Sequence, residues 1–130
     1  MPSDQFHRVE KLTGECENWR YIGQKDNPSF TGTINWTNRG VGSDPLAAFY
    51  KDPFNIVRIK GVINTGTNNE SAWTLPEGYR PPDDMLFPVL QTGAVEGAYV
   101  YVATGGTVTI SHSGATGSKD IWLNNISFRV

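Results

Sequence analysis

An all-β fold, a jelly-roll-like β-sandwich of about nine short antiparallel strands, is what this sequence predicts. Three observations lead there. Short runs rich in aromatic and β-branched residues recur along the chain; 14 glycines and 8 prolines are scattered between them; and no long stretch has helical periodicity.

The elements follow in order. Residues 1–18 stand apart: Phe6, Val9 and Leu12 are spaced by three amid Asp4, Arg8, Glu10 and Lys11, the pattern of a short amphipathic helix. Such a helix is too short to be stable alone, so this segment reads as a lead-in or stalk remnant before a folded body over residues 19–130. Residues 19–24 and 30–36 are strand-like and separated by the turn signal Asp26-Asn27-Pro28. Residues 40–45 read as a loop and 46–51 as the next strand. The clearest strand is 54–63, with Val57, Ile59, Gly61 and Ile63 on one face and Arg58 and Lys60 on the other.

Residues 64–69 form a polar loop and 71–75 a short strand. Three prolines keep residues 76–82 out of any central strand. The β pattern resumes over 85–91, where Pro88 predicts an edge or a bulge. Residues 97–104 and 107–112 flank Gly105-Gly106, a two-residue hairpin signal. In the last segment Ile121 and Leu123 have odd parity, whereas Ile126, Phe128 and Val130 have even parity. A bulge at Asn124-Asn125 returns all five to one core face.

Composition narrows the function. With 130 residues the chain suits one domain, and a charged fraction of 18% is too low for a disordered one. The net charge of −2 and the lack of any Lys/Arg cluster longer than two residues argue against nucleic-acid binding. No apolar run is long enough for a membrane span, so no membrane insertion is expected. Residues 1–12 lack a signal-peptide hydrophobic region, which predicts synthesis in the cytoplasm. Cys16 is the only cysteine, so no internal disulfide is expected, and Glu15 and Glu17 beside it discourage thiolate formation.

Catalytic and metal patterns are not found. His7 and His112 lie far apart and belong to no metal-spaced group, and His112 shares parity with Val108 and Ile110, placing it at a strand end near the core. Asp83-Asp84 reads as a solvated turn, because glycoside hydrolysis needs carboxylates on opposite sides of a bond. Asp44, Asp52 and Asp120 occupy turn-like positions where Asp bonds its own backbone. Gly40-Val41-Gly42 lacks the lysine of a phosphate loop. No enzyme activity or cofactor is therefore expected, and no metal-ligand residues are identified. Aromatic residues off the core face offer sugar-stacking surfaces, with Asn and Asp bonding hydroxyls. Trp122 faces away from the side claimed by Ile121 and Leu123, as interface tryptophans do. The candidate ligand-binding residues are Asp44, Asn68, Asn69, Glu70, Trp73 and Trp122, with specificity expected in loops 40–45, 64–70 and 114–119.

One succession of motifs is more specific. The strand Val57-Arg58-Ile59-Lys60-Gly61-Val62-Ile63 and a polar loop precede Trp73-Thr74-Leu75-Pro76-Glu77-Gly78-Tyr79-Arg80-Pro81. Phe87-Pro88-Val89, a glycine-centred hairpin and Leu123-Asn124-Asn125-Ile126-Ser127-Phe128 then follow. Over residues 19–130 this order resembles the C-terminal head domains of bacteriophage tail fibres. The resemblance implies a homotrimeric, non-enzymatic, receptor-binding head on the virion. Its implied partners are a bacterial surface glycan or cell-wall polymer, further copies of itself and other phage tail proteins. It implies no set of binding residues. A structural tail-tip protein and a stand-alone carbohydrate-binding module remain as alternatives. Within the motif, Leu75 is expected to plug the core, Pro76 to end the strand and Gly78 to permit a positive-φ turn. Arg80 is expected on an acid such as Asp83 or on a neighbouring subunit.

Overall fold

The computed structural model describes residues 17–31, 36–66, 68–92, 97–112 and 120–130. The expected helix around residues 6–12, the environment of Cys16 and the loop over 114–119 lie outside them. Eleven strands follow in chain order: β1 (Arg20–Tyr21), β2 (Thr37–Asn38), β3 (Ala48–Lys51), β4 (Ile56–Lys60), β5 (Val62–Asn64), β6 (Glu70–Thr74), β7 (Met85–Thr92), β8 (Ala98–Val102), β9 (Thr107–Ser111), β10 (Asp120–Trp122) and β11 (Ile126–Arg129). They make two antiparallel sheets, a four-stranded one in the order β1-β3-β4-β11 and a seven-stranded one in the order β2-β5-β10-β7-β8-β9-β6. The fold is thus an all-β sandwich. Among the described residues no helix is long and apolar enough to cross a membrane.

One core lies between the sheets. Phe49, Val57, Ile59 and Phe128 enter from the four-stranded sheet, and Ile63, Trp73, Val100, Val108, Ile110 and Ile121 from the seven-stranded one. Strict alternation produces this: β8 buries Ala98, Val100 and Val102 and exposes Tyr99 and Tyr101. The edges of the seven-stranded sheet approach one another. Thr31 donates its amide to Ala72 on β6 at 2.8 Å, and Trp36, just before β2, meets His112, just after β9, edge to face at 5.7 Å. His112 is accordingly buried at a strand end.

The strand expected over 54–63 is instead two strands in different sheets. Gly61, at φ 129°, turns the chain from β4 in the four-stranded sheet to β5 in the seven-stranded one. The region 120–130 behaves in the same way. Asn124 and Asn125 form a turn by which β10 leaves one sheet and β11 enters the other. Ile121, Leu123, Ile126 and Phe128 are all buried as expected, through a change of sheet and not a bulge. β4 pairs with β11 and β5 with β10, so both segments cross side by side, joined at the corner by the Leu123 amide donating to the Gly61 carbonyl at 2.8 Å.

Three local expectations are also refined. The β8–β9 hairpin turns through Thr104, Gly105 and Gly106, not two residues, closed by the Gly106 amide on the Ala103 carbonyl at 2.8 Å. Pro88 lies inside β7, between β8 and β10, but β10 pairs only with Leu90 to Thr92 and stops short of the proline. No ladder bond to β10 is lost there. Residues 30, 31 and 36 are not strand, and 32–35 lie outside the described residues.

The motif at 75–81 is structural glue. Leu75 is fully buried and Gly78 turns at φ 89°. Arg80 is not held by Asp83: its Nε donates to the Leu75 carbonyl at 2.9 Å, while the Leu75 amide donates to Gly106 at 2.8 Å. A Cβ at Gly106 would lie 2.5 Å from the Leu75 carbonyl oxygen and 2.7 Å from Arg80 Nε, so the hairpin tip must be glycine for the motif to dock. Tyr79 packs on Phe49 and donates its hydroxyl to Glu17 at 2.6 Å.

Gly61 has no room for a side chain, because a Cβ there would sit 2.5 Å from the Ala47 Cα. Gly61→Ala is expected to destabilise by about 3 kcal/mol or more, from a glycine-only conformation and a backbone clash together. Gly97→Ala, with open space around it, is expected to stay within about 0.5 kcal/mol. Urea midpoints at equal protein concentration check this, and equal midpoints for the two variants would refute the corner's importance.

Candidate functional site

The sequence-derived candidates other than Trp73 lie along one rim of the seven-stranded sheet. At its centre is Arg39, which sequence reasoning did not single out. It follows β2, and its backbone amide donates to the Val62 carbonyl on β5 at 2.9 Å. Its guanidinium grips Asp44 with two nitrogens, Nε at 2.5 Å and Nη2 at 2.7 Å, and Asp120 with Nη1 at 2.9 Å. It also lies 5.2 Å from the Trp122 ring. The planar fork of arginine suits this task, since one side chain satisfies two carboxylates in fixed directions.

Asp44 also accepts the Val41 amide at 3.2 Å and so closes the loop over 40–45 on itself, as expected of a turn aspartate. Asp52 likewise accepts the amides of Phe54 and Ile56. Asp120 departs from that expectation and takes side-chain donors: Asn64 at 3.1 Å and Thr92 at 3.2 Å, besides Arg39. Thr37 extends the polar row towards Asn64 and Thr65. Four adjacent strands, β2, β5, β10 and β7, thus contribute to one hydrogen-bonded line.

The remaining candidates sit where the loop from β5 enters β6. Asn68 accepts the His112 amide at 2.8 Å, Asn69 takes a left-handed turn at φ 63°, and Glu70 pairs with Ile110. His112 touches Trp36, which precedes Thr37, so this cluster is joined to the start of β2 through two buried rings. Trp122 is half-buried beneath Arg39. Trp73 is fully buried and packs edge to face on Phe30 at 6.2 Å. It supports the rim from within the core and presents no surface. Arg39 could have been suspected from its place five residues before Asp44, across a Gly-x-Gly loop; its pairing with Asp120 had no local signal.

The charges are mutually satisfied. The hydrogen bonds from Arg39 hold the Asp44 carboxyl below the ordinary carboxylate range. For Asp120, partial burial pushes upward, but the bonds from Arg39, Asn64 and Thr92 outweigh it and the net direction is down. Arg39 is raised in turn by its bonds to Asp44 and Asp120. The rim therefore offers hydroxyl and amide partners without a spare cation. Asp84 is engaged elsewhere, accepting from the Tyr101 hydroxyl at 2.6 Å and the Thr104 amide at 3.0 Å. Among the described residues no three of His, Cys, Asp or Glu converge as metal ligands.

A pH dependence follows. Asp44 and Asp120 have lowered values in the folded state, so their contribution is complete above the unfolded carboxylate value of about 3.9 and is lost as pH falls through the lower folded values. Arg39→Met is expected to lower the melting temperature at neutral pH, with the gap from the parent shrinking below about pH 4. Thermal melts across that range test this; a gap that persists unchanged into strong acid would rule out the ion-pair origin.

At the level of sequence, no protein-family model and no curated protein matches the chain. The fold is similar to that of the receptor-binding protein gp15 of Listeria phage PSA, in a superposition covering 98% of this chain and 74% of that one, with a TM-score of 0.63 and 14% identity. That likeness establishes a shared architecture.

Proposed function

We propose that this chain is the receptor-binding head domain of a phage tail fibre, attaching the virion to a bacterial surface glycan or cell-wall polymer. The observation that carries the reading is a superposition over nearly the whole chain on a phage receptor-binding protein. The tail-fibre succession of motifs supports it from an independent direction. In this reading residues 19–130 are the head, residues 1–18 lead in from a stalk, and the protein works on the virion beside other tail proteins.

The contacts proposed for the receptor are Asp44, Asn68, Asn69, Glu70 and Trp122 along the rim, with Trp73 holding the sheet beneath them. A rim of satisfied charges, amides and threonine hydroxyls suits sugar hydroxyls. Modest affinity per site is sufficient where several copies bind together.

The proposed assembly is a homotrimer. Its support is the outer face of β7 and β8, where Leu86, Leu90 and Tyr99 are 59%, 63% and 47% exposed. Pro88 pairs with Tyr99, and Leu86 with Tyr101, so these apolar residues form adjoining rows of one surface. A continuous apolar sheet face of this kind is a surface for another copy of the chain.

Light scattering on a sizing column is expected to give a species near three times 14.3 kDa. Leu90→Lys is expected to reduce it to a monomer without unfolding it. The labelled parent is expected to decorate purified bacterial cell walls. A parent that runs as a clean monomer would overturn the fibre-head reading in favour of a stand-alone carbohydrate-binding module. A trimer that ignores cell walls from every host tested would favour a structural tail-tip protein.

A further inference from the structure

The four-stranded sheet has an outer face of different chemistry from the rim. Alternation on β4 sends Arg58 and Lys60 outward while Val57 and Ile59 enter the core. Tyr50 on β3 and Ser127 on β11 are the register partners of Arg58 and so share its side of the sheet. Trp19, immediately before β1, meets Tyr50 edge to face with ring centroids 4.5 Å apart. Between Trp19, Arg58, Lys60 and Ser127 and the Asn124-Asn125 turn lies a groove of about 470 Å3. That volume falls within the range of small-molecule sites, about 300–1,000 Å3.

The groove's cations are less fully compensated than the rim's. Lys60 Nζ lies 4.5 Å from the centre of the Trp19 ring and 5.4 Å from that of Tyr21, held by the negative faces of two aromatics. No carboxylate among the described residues pairs with it. Arg58 has only a 3.4 Å contact with Asp52, and its side chain is 47% exposed. The side-chain amides of Asn124 and Asn125 are exposed and have no hydrogen-bond partner among the described residues. On a chain whose net charge is −2, this is a local reversal of sign. It combines an indole wall, two cations and free amides.

We infer that this groove is a second binding site, for an acidic saccharide: a sugar ring against Trp19, its carboxylate or phosphate on Lys60 and Arg58, and its hydroxyls on Asn124, Asn125 and Ser127. The site deepens the reading of the domain as a glycan-binding head and rests on it for its biological sense. The chemistry separates the two surfaces. The rim, its charges consumed internally, serves neutral hydroxyls, and the groove serves an anion. A polymer carrying both groups would engage two faces of one head.

The test is titration of the full chain, in its solution assembly, with a galacturonate trisaccharide, the matched neutral galactose trisaccharide and a glycerol-phosphate oligomer. Binding is followed by calorimetry and by the Trp19 indole N–H signal. The acidic trisaccharide is expected to bind, to move that signal and to weaken as salt rises. The neutral one is expected to leave the signal unmoved. Lys60→Gln should cost about tenfold or more in affinity, with an unchanged melting temperature showing that the fold is intact, whereas Gly97→Ala, in open space just before β8 of the other sheet, should leave this affinity unchanged. Binding of the glycerol-phosphate oligomer with a shift at Trp19 would extend the anion class to phosphate; its failure beside a bound galacturonate would confine the class to carboxylates. Equal binding of acidic and neutral trisaccharides, or indifference to Lys60→Gln, would overturn the inference. Failure of the acidic trisaccharide while cell walls are still decorated would remove the groove and leave the receptor-binding reading standing. Groove binding without wall decoration would do the reverse.

Discussion

The hydrogen bond from the Leu123 amide to the Gly61 carbonyl sits where two neighbouring segments leave one sheet and enter the other. β4 and β11 are paired on one side of that corner, and β5 and β10 on the other. This crossing ties the two layers together with main-chain bonds, so that their relative placement does not depend on side-chain packing alone. It requires a residue with no Cβ at 61, since the backbone of Ala47 closes on that position. Once the crossing is made, every other strand has a fixed neighbour. β3 and β1 extend one sheet, and β2 and β7 to β9 extend the other, with β6 at its far edge.

The corner also distributes the polar chemistry. On the seven-stranded side it delivers Asn64 and Asp120 to the same level of β5 and β10, where Arg39 collects Asp44 and Asp120 into a closed electrostatic unit. On the four-stranded side the corner itself supplies Asn124 and Asn125 to the groove beside Arg58, Lys60 and Trp19. The two surfaces lie on opposite layers and differ in one physical respect. Arginine on the rim has its fork filled by carboxylates, whereas the lysine in the groove is stabilised by aromatic rings that leave its charge uncompensated. A filled fork gives order to a loop, and an uncompensated ammonium gives affinity for anions.

Much of the architecture was legible because burial in a sheet follows a period of two. The pattern predicted the buried faces of β4 and β9, the interior position of Leu75 and the burial of Ile121, Leu123, Ile126 and Phe128. It did not predict the route. Residues 54–63 look like one strand because Gly61 fits the alternation as well as any small residue does, and nothing local marks a change of sheet. Asn124-Asn125 looks like a bulge for a related reason: a shift of parity has the same signature whether the strand bulges or turns a corner. The candidate site was legible in its loops and less so in its contacts. Asp44, Asn68, Asn69, Glu70 and Trp122 lie along one rim, while Trp73 shares the parity of Leu75 on the strand expected over 71–75, a sign of its place in the core that its choice as a ligand contact passed over.

What the sequence by itself determined is the class of fold, most of its turn positions and most of its core, because these rest on neighbours a few residues apart. What only the tertiary structure decided is which sheet each strand joins and which polar groups meet. Arg39 and Asp120 stand 81 residues apart, and the Trp19–Lys60 pair depends on β1, β3 and β4 lying in one sheet. Such encounters are set by strand order, and strand order is the outcome of packing the whole core at once.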